Sequence, residues 1–231
     1  VTSTMACAIS AQKLGIKVAH VEAGIRSGDW SMPEEINRMV TDAVTNWFFT
    51  TSETANTNLR KSGVEESRIF FVGNTMIDTL LVNLPNLRQP TFWNELRLTP
   101  KGYVVLTLHR PANVDDAGNL RALLVAVSNA CAGFPVVFPV HPRTRRVLAK
   151  LPELPDNLHP LDPQPYLEFV YLVRDALAVV TDSGGITEEA TVLDVPCITL
   201  RDNTERPETV EMGTNQLVGT NPAAIAPAIA K

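Results

Sequence analysis

Short apolar runs alternate with helical patterns along the whole chain. The runs predict strands at 18–22, 47–51, 69–72, 103–108, 136–140, 177–181, 197–200 and 216–218. Between them, apolar positions three or four apart predict helices near 2–14, 33–45, 53–61, 75–84, 116–131, 143–150, 165–174, 184–193 and 222–230. Pro33, Pro207 and Pro222 stand where a first helical turn accepts proline. Strand, helix, strand throughout predicts parallel sheets covered by helices on both faces. The stretch Leu84-Pro85-Asn86-Leu87-Arg88-Gln89-Pro90, running on to Pro100, breaks the rhythm and reads as a connection between two layers. The fold class is therefore α/β, with two Rossmann-like parallel-sheet domains over residues 1–88 and 89–231.

Three strands in about 85 residues are few for a doubly wound unit. The chain also opens directly on the helical pattern Thr2-Ser3-Thr4-Met5-Ala6-Cys7-Ala8, with no strand ahead to dock it. Residues 1–88 are accordingly expected to be the back half of a domain truncated at its N-terminus.

Composition narrows the function classes. With 231 residues, 45% apolar and 19% charged, the chain can bury one large core or two modest ones. A formal net charge of -5 provides no general cationic field, which argues against nucleic acid or an anionic membrane as partner, so any anion site must be local. No apolar run approaches the roughly 20 residues that span a bilayer, and no signal-like segment opens the chain, so a cytoplasmic location is expected. Cys7, Cys131 and Cys197 are odd in number, far apart and in apolar surroundings, and read as reduced buried thiols rather than disulfides or a zinc site; no metal is expected.

In parallel α/β sheets ligands collect at the carboxyl ends of strands, where helix amino termini point unpaired N–H groups. Five polar endings fall there: Glu22, His109-Arg110, His141, Asp182-Ser183-Gly184-Gly185 and Arg201-Asp202. Ser183 suits a helix N-cap, and Gly184 and Gly185 remove side chains that would keep an anion from the first amides of the following helix. Glu188 and Glu189 lie deeper in that helix, where one of them could accept hydrogen bonds from sugar hydroxyls. Phosphate at the turn with ribose one step along reads as a nucleotide seat; a tight turn with a capping serine has the same pattern. Residues 201–208 carry five charges in eight positions, which places Arg206 to meet a diphosphate or else makes a solvated, internally paired loop. On the other side, Glu22 closes a strand with no obvious local cation, favouring a functional carboxylate. Glu34 and Glu35 fall in the first turn of a helix begun by Pro33; for Glu35, ordinary charge at a helix end is the preferred reading.

The segments HVEAGIRSGDWSMPEEINR, RIFFVGNTMIDTLL, LTLHRP, PQPYLEFVYLV, TDSGGITEEA and RDNTERPE follow in order over nearly the whole chain. Together they resemble the non-hydrolysing UDP-N-acetylglucosamine 2-epimerase family. That resemblance implies a GT-B arrangement and interconversion of UDP-N-acetylglucosamine and UDP-N-acetylmannosamine without metal or nicotinamide. By motif, Glu22 and Glu34 match the family's acid/base carboxylates and His109 its diphosphate-contacting histidine. Ser183, Gly184, Gly185 and Glu189 match the phosphate and ribose contacts, Gln164 and Phe169 the uracil side, and Arg206 the arginine of TERPE. Gln164 and Phe169 enter through the resemblance alone; by composition they are ordinary loop and core residues. The resemblance further implies a homodimer, a UDP-sugar partner and a third catalytic aspartate directly ahead of the Thr2-Ser3-Thr4 helix, so residues 1–231 by themselves are not expected to be a complete enzyme. HRPANVD and HPRTRR depart from the HRREN-type pattern of members activated by a second UDP-N-acetylglucosamine. A hydrolysing relative, an epimerase of a modified UDP-sugar, and a non-catalytic UDP-sugar-binding module stay open beside the favoured reading.

Overall fold

The computed structural model describes residues 2–30 and 32–229. It divides into two compact units, residues 1–79 and 80–231. The first unit runs α1 (Thr2–Lys13), β1 (Ala19–Val21), α2 (Pro33–Ala43), β2 (Trp47–Thr50), α3 (Glu53–Lys61) and β3 (Ile69–Phe71), and α4 (Thr75–Asn83) carries the boundary. Its strands form a parallel sheet in the order β1-β2-β3. Phe48 and Leu59, both buried, knit β2 to α3.

The second unit continues with β4 (Val104–Thr107), α5 (Pro111–Val114), α6 (Ala117–Ala130), β5 (Val136–Pro139), α7 (Pro142–Leu148) and β6 (Leu158–Leu161). It ends with α8 (Tyr166–Asp175), β7 (Ala178–Thr181), α9 (Gly184–Val192), β8 (Cys197–Thr199), α10 (Pro207–Glu211), β9 (Asn215–Leu217) and α11 (Ile225–Ile229). All six strands are parallel, in the order β6-β5-β4-β7-β8-β9. The chain winds outward from β4 to β6, then returns to lay β7 on the other side of β4. That reversal is the topological switch point of a doubly wound sheet.

Two-residue alternation sends neighbouring strand residues to opposite cores. Val104, Leu106, Phe138 and Val180 join Leu120, Leu124 and Val127 of α6 on one face. Tyr103, Val105, Val137 and Val179 join Leu172 and Val173 of α8 on the other. With both faces covered, the strands read as unbroken apolar runs.

Within the proline-rich connection, Trp93 and Leu98, 6% and 5% exposed, pack into the second core, and Trp93 meets Tyr103 and Tyr171 edge-on at 5.4 Å. Three details differ from the sequence reading. Strand β6 was not anticipated; it is Leu-His-Pro-Leu, and its internal proline is tolerated because β6 lies at the sheet edge. The single-turn helix α5 after His109-Arg110 was also not foreseen. Of the cysteines, Cys131 and Cys197 are buried free thiols, but Cys7 is exposed, because α1 buries only Ala8 and its apolar residues do not form one stripe. No helix among the described residues is long and apolar enough to cross a membrane.

Candidate functional site

In the second unit, the carboxyl ends of four strands border an open cavity of about 380 Å³. His109 enters it from the end of β4, His141 from β5, Gln164 from the segment after β6 and Ser183 from the end of β7, with Phe169 and Ile186 completing apolar walls. This is the place where a doubly wound sheet holds ligands, since the helices that follow the paired strands β4 and β7, α6 and α9, pack on opposite faces. His109, Gln164, Phe169 and Ser183, expected from three separate motifs, thus all line one cavity.

Asp182 organises this edge. Its carboxylate has no exposed area, and both oxygens accept hydrogen bonds. The backbone N–H of His109 donates at 3.1 and 3.0 Å, that of Arg110 at 2.8 Å and the Asn113 side-chain amide at 3.1 Å. His109 Nδ1 lies 2.8 Å away. Burial pushes this carboxyl up, but the hydrogen bond and charge of His109, with the Arg110 and Asn113 donors, outweigh burial and hold it below the ordinary carboxylate range. His141 is turned to a different task, its Nδ1 accepting from the Arg143 N–H at 3.1 Å to cap α7, with its ring 5.7 Å from that of His109.

Ser183 occupies the N-cap position of α9 with extended backbone, but its side chain makes no capping hydrogen bond, contrary to the expected cap. The turn is held instead by the Ser183 N–H donating to Thr181 Oγ1 at 3.0 Å. Gly184 and Gly185 open the helix. A Cβ placed on Gly184 would stand 3.5 Å from Glu205 Oε2 and 3.6 Å from Arg201 Nη1, ordinary contact distances.

The two glutamates of α9 separate in role. Glu188 lies 2.9 Å from Arg206 Nε, and a second buried pair, Arg201 Nη1 with Glu205 Oε2 at 2.8 Å, sits beside it. All four residues are buried, so residues 201–208 are not a solvated loop, and Arg206 is braced against α9. Glu189 instead accepts from the Tyr166 hydroxyl at 3.0 Å. Burial raises the Glu189 carboxyl, with the Tyr166 hydrogen bond acting against it; the Tyr166 phenol is pushed up to about 12 by burial and by Glu189. Of the pair, Glu189 is therefore the one not committed to a guanidinium.

In the first unit, Glu22 follows β1 with φ 62°, a left-handed conformation uncommon for a residue with a side chain. The loop after it is pinned from α2 and α3. Asp42 lies 2.6 Å from His20 Nδ1 and accepts from Arg26 Nη2 at 2.6 Å and from the Gly24 N–H at 3.3 Å. Asn58 donates to the Gly24 carbonyl at 3.0 Å. Glu35, 3% exposed, accepts from the N–H groups of Ser27 and Gly28 at 2.9 and 3.2 Å and from the Ser27 hydroxyl at 3.1 Å. It is a loop clamp rather than the plain helix-end charge expected of it. Glu34, half-buried beside it, stands in the first turn of α2 at the far end of the loop that Glu22 begins.

A family model described as UDP-N-acetylglucosamine 2-epimerase matches residues 1–231. The chain belongs to this family. The UDP-N-acetylglucosamine 2-epimerase of Methanocaldococcus jannaschii is 45% identical over 231 residues, covering 95% of this chain and 63% of that protein. The UDP-2,3-diacetamido-2,3-dideoxy-D-glucuronate 2-epimerase of Pseudomonas aeruginosa is 40% identical over 220 residues, covering 94% of this chain and 61% of the relative. The M. jannaschii UDP-GlcNAc 2-epimerase solved in complex with UDP-GlcNAc and UDP has 43% identity and a TM-score of 0.88, over 98% of this chain and 65% of that structure. The expected fold class, two Rossmann-like parallel-sheet units of GT-B type, is the one these family structures share. The chain spans less than two thirds of the length of these relatives.

Two residues of this edge escaped the sequence reading. Tyr166 carried no mark beyond its place in PQPYLEF, and Asp182 was seen as a polar strand end without a task. Asp182 is separated from His109 by 73 positions, and only the pairing of β4 with β7 makes them neighbours.

Proposed function

We propose that the protein carrying this chain interconverts UDP-N-acetylglucosamine and UDP-N-acetylmannosamine without net hydrolysis. The observation that supports this most is the cavity at the switch point, where His109, Ser183 and the pair Gln164 and Phe169 come from three separate segments onto one nucleotide-sized space. Phe169 and Gln164 give uracil an apolar face and an amide, the amino end of α9 takes phosphate, and Glu189 takes ribose hydroxyls.

The reaction is an elimination and re-addition. The hydrogen on sugar carbon 2 is not next to a carbonyl, so removing it alone is unfavourable. A carboxylate base takes that proton while the bond from carbon 1 to the UDP oxygen breaks; the electrons of the C–H bond form the C1–C2 double bond of a glycal. UDP leaves with the bonding pair, and its growing charge is met by His109 and the amino end of α9. Re-addition of the UDP oxygen to carbon 1, with a proton delivered to the other face of carbon 2, inverts that centre. Glu22 and Glu34 are the acid/base carboxylates.

Incubation with UDP-N-acetylglucosamine in deuterium oxide tests this. The expected product is the manno epimer, still joined to UDP, with deuterium at sugar carbon 2. Product without deuterium excludes proton transfer at that carbon, and free N-acetylmannosamine with UDP shows the hydrolysing course instead. Because a diacetamido-glucuronate epimerase is 40% identical, the corresponding UDP-diacetamido-glucuronate belongs in the same assay; faster turnover of it reassigns the sugar.

The phosphate seat has its own test in Gly184→Ala. The methyl meets only ordinary contacts in the folded protein, and alanine is the better helix former, so the melting temperature should hold or rise. Phosphate approaching the first amides of α9 would meet the methyl, and UDP affinity by calorimetry should fall about tenfold or more. Unchanged affinity moves the phosphates away from this helix.

A further inference from the structure

We propose that Asp182 is the positioning residue of His109, holding both the backbone and the ring of that histidine so that only Nε2 is presented to the diphosphate. The inference deepens the reading above and rests on it, because it assumes that His109 meets the leaving group.

The geometry carries it. One fully buried carboxylate receives the His109 N–H, the Arg110 N–H, the Asn113 amide and the His109 ring at Nδ1. A carboxylate offers about four lone-pair directions, and these four donors occupy them. Being ionised at neutral pH, Asp182 can only accept, so Nδ1 must carry a hydrogen whatever the charge of the ring. With the main chain and Nδ1 tied to the same group, the side-chain torsions of His109 have no freedom left to point Nδ1 elsewhere. Nε2 is then the ring nitrogen left for a ligand in the cavity that His109 lines.

The position of Asp182 adds a second consequence. It directly precedes Ser183 and the amino end of α9, and Asn113 also donates to the Leu200 carbonyl at 3.0 Å. The histidine and the helix end that would share the diphosphate charge are therefore set in one frame, spanning β4, β7 and β8. A buried carboxylate serving only to staple the loop after β4 would need the two backbone donors and not the ring.

Three measurements separate positioning from stapling. In the unaltered protein, nitrogen-15 spectra of the histidine ring should show Nδ1 of His109 bearing hydrogen; an Nδ1 without hydrogen overturns the proposal, and this needs no variant that folds. Asp182→Asn should lower kcat about hundredfold or more while KM stays within about threefold. In a His109→Ala background the same change should alter kcat by less than about threefold, because the group it positions is gone. Equal losses of kcat in both backgrounds show a staple and overturn the proposal. Normal turnover in Asp182→Asn beside a crippled His109→Ala overturns it alone, leaving the diphosphate role of His109 in place. Normal turnover and UDP affinity in His109→Ala remove that role, and the proposal with it.

Discussion

Gly24→Ala should destabilise the first unit by about 3 kcal/mol or more. Gly24 has φ 76°, and a Cβ there would stand 2.5 Å from the Ala55 carbonyl oxygen and 2.8 Å from a Leu59 side-chain carbon. The first partner is helix backbone of α3 and cannot turn aside; the second belongs to a fully buried leucine. Strain in the left-handed region contributes roughly 1 kcal/mol of the loss, and the overlap contributes the rest. Gly28, at φ 73° with nothing within 4 Å of the same imagined atom, is the matched control. Its alanine variant carries only the conformational part, about 1 kcal/mol. Urea unfolding of the two variants measures both terms, and equal destabilisation would show that the contact with α3 does not matter. Since Gly24 is two residues from Glu22, any turnover of surviving folded Gly24→Ala enzyme should also drop.

Glu22→Gln should produce the largest loss of activity. The change keeps the shape of the side chain and the left-handed backbone at φ 62° while removing the group that can exchange a proton. Turnover should fall about hundredfold or more, with UDP affinity within about threefold, since nucleotide contacts are proposed for a different set of residues. A strained backbone at a strand end is tolerated where surrounding contacts over-determine it, and here Asp42, Asn58 and Glu35 hold the loop through Gly24, Ser27 and Gly28. If Glu22 is instead a structural carboxylate, the glutamine variant melts lower and the folded fraction turns over at a nearly normal rate. Turnover, UDP binding and melting on one preparation distinguish the two, and near-normal turnover would leave the chemistry to Glu34.

The candidate site was unevenly legible. Ser183, Gly184 and His109 announce themselves as polar or glycine residues closing apolar runs, and the structure sets Ser183 and His109 on the cavity with Gly184 next in the chain. Gln164 did not, and the cause is β6: a four-residue edge strand with an internal proline has little apolar signal, so nothing in the pattern marked residue 164 as lying past a strand end. Glu35 was misread for a different reason. Its neighbours in sequence describe a helix start, while its hydrogen-bond donors come from a loop seven and eight positions back. Glu188 and Glu189 are indistinguishable as adjacent glutamates, and the choice between them came from Arg206 on one side and Tyr166 on the other.

The order of apolar runs and helical spacing by itself determined the class of this protein: two parallel-sheet units, with polar residues at the strand ends. Those features are local, because strand alternation, helical periodicity and proline positions act within a few residues. Strand order is not local. That β7 lies beside β4 follows from how the sheet packs its two faces, and this decided that Asp182 reaches His109 and that four strand ends share one cavity, while packing against α9 buried Arg206 on Glu188 beside the buried Arg201–Glu205 pair. Burial and partner choice are properties of the whole packed unit, and so the same carboxylate, arginine or serine acquires its role only once its non-sequential neighbours are in place.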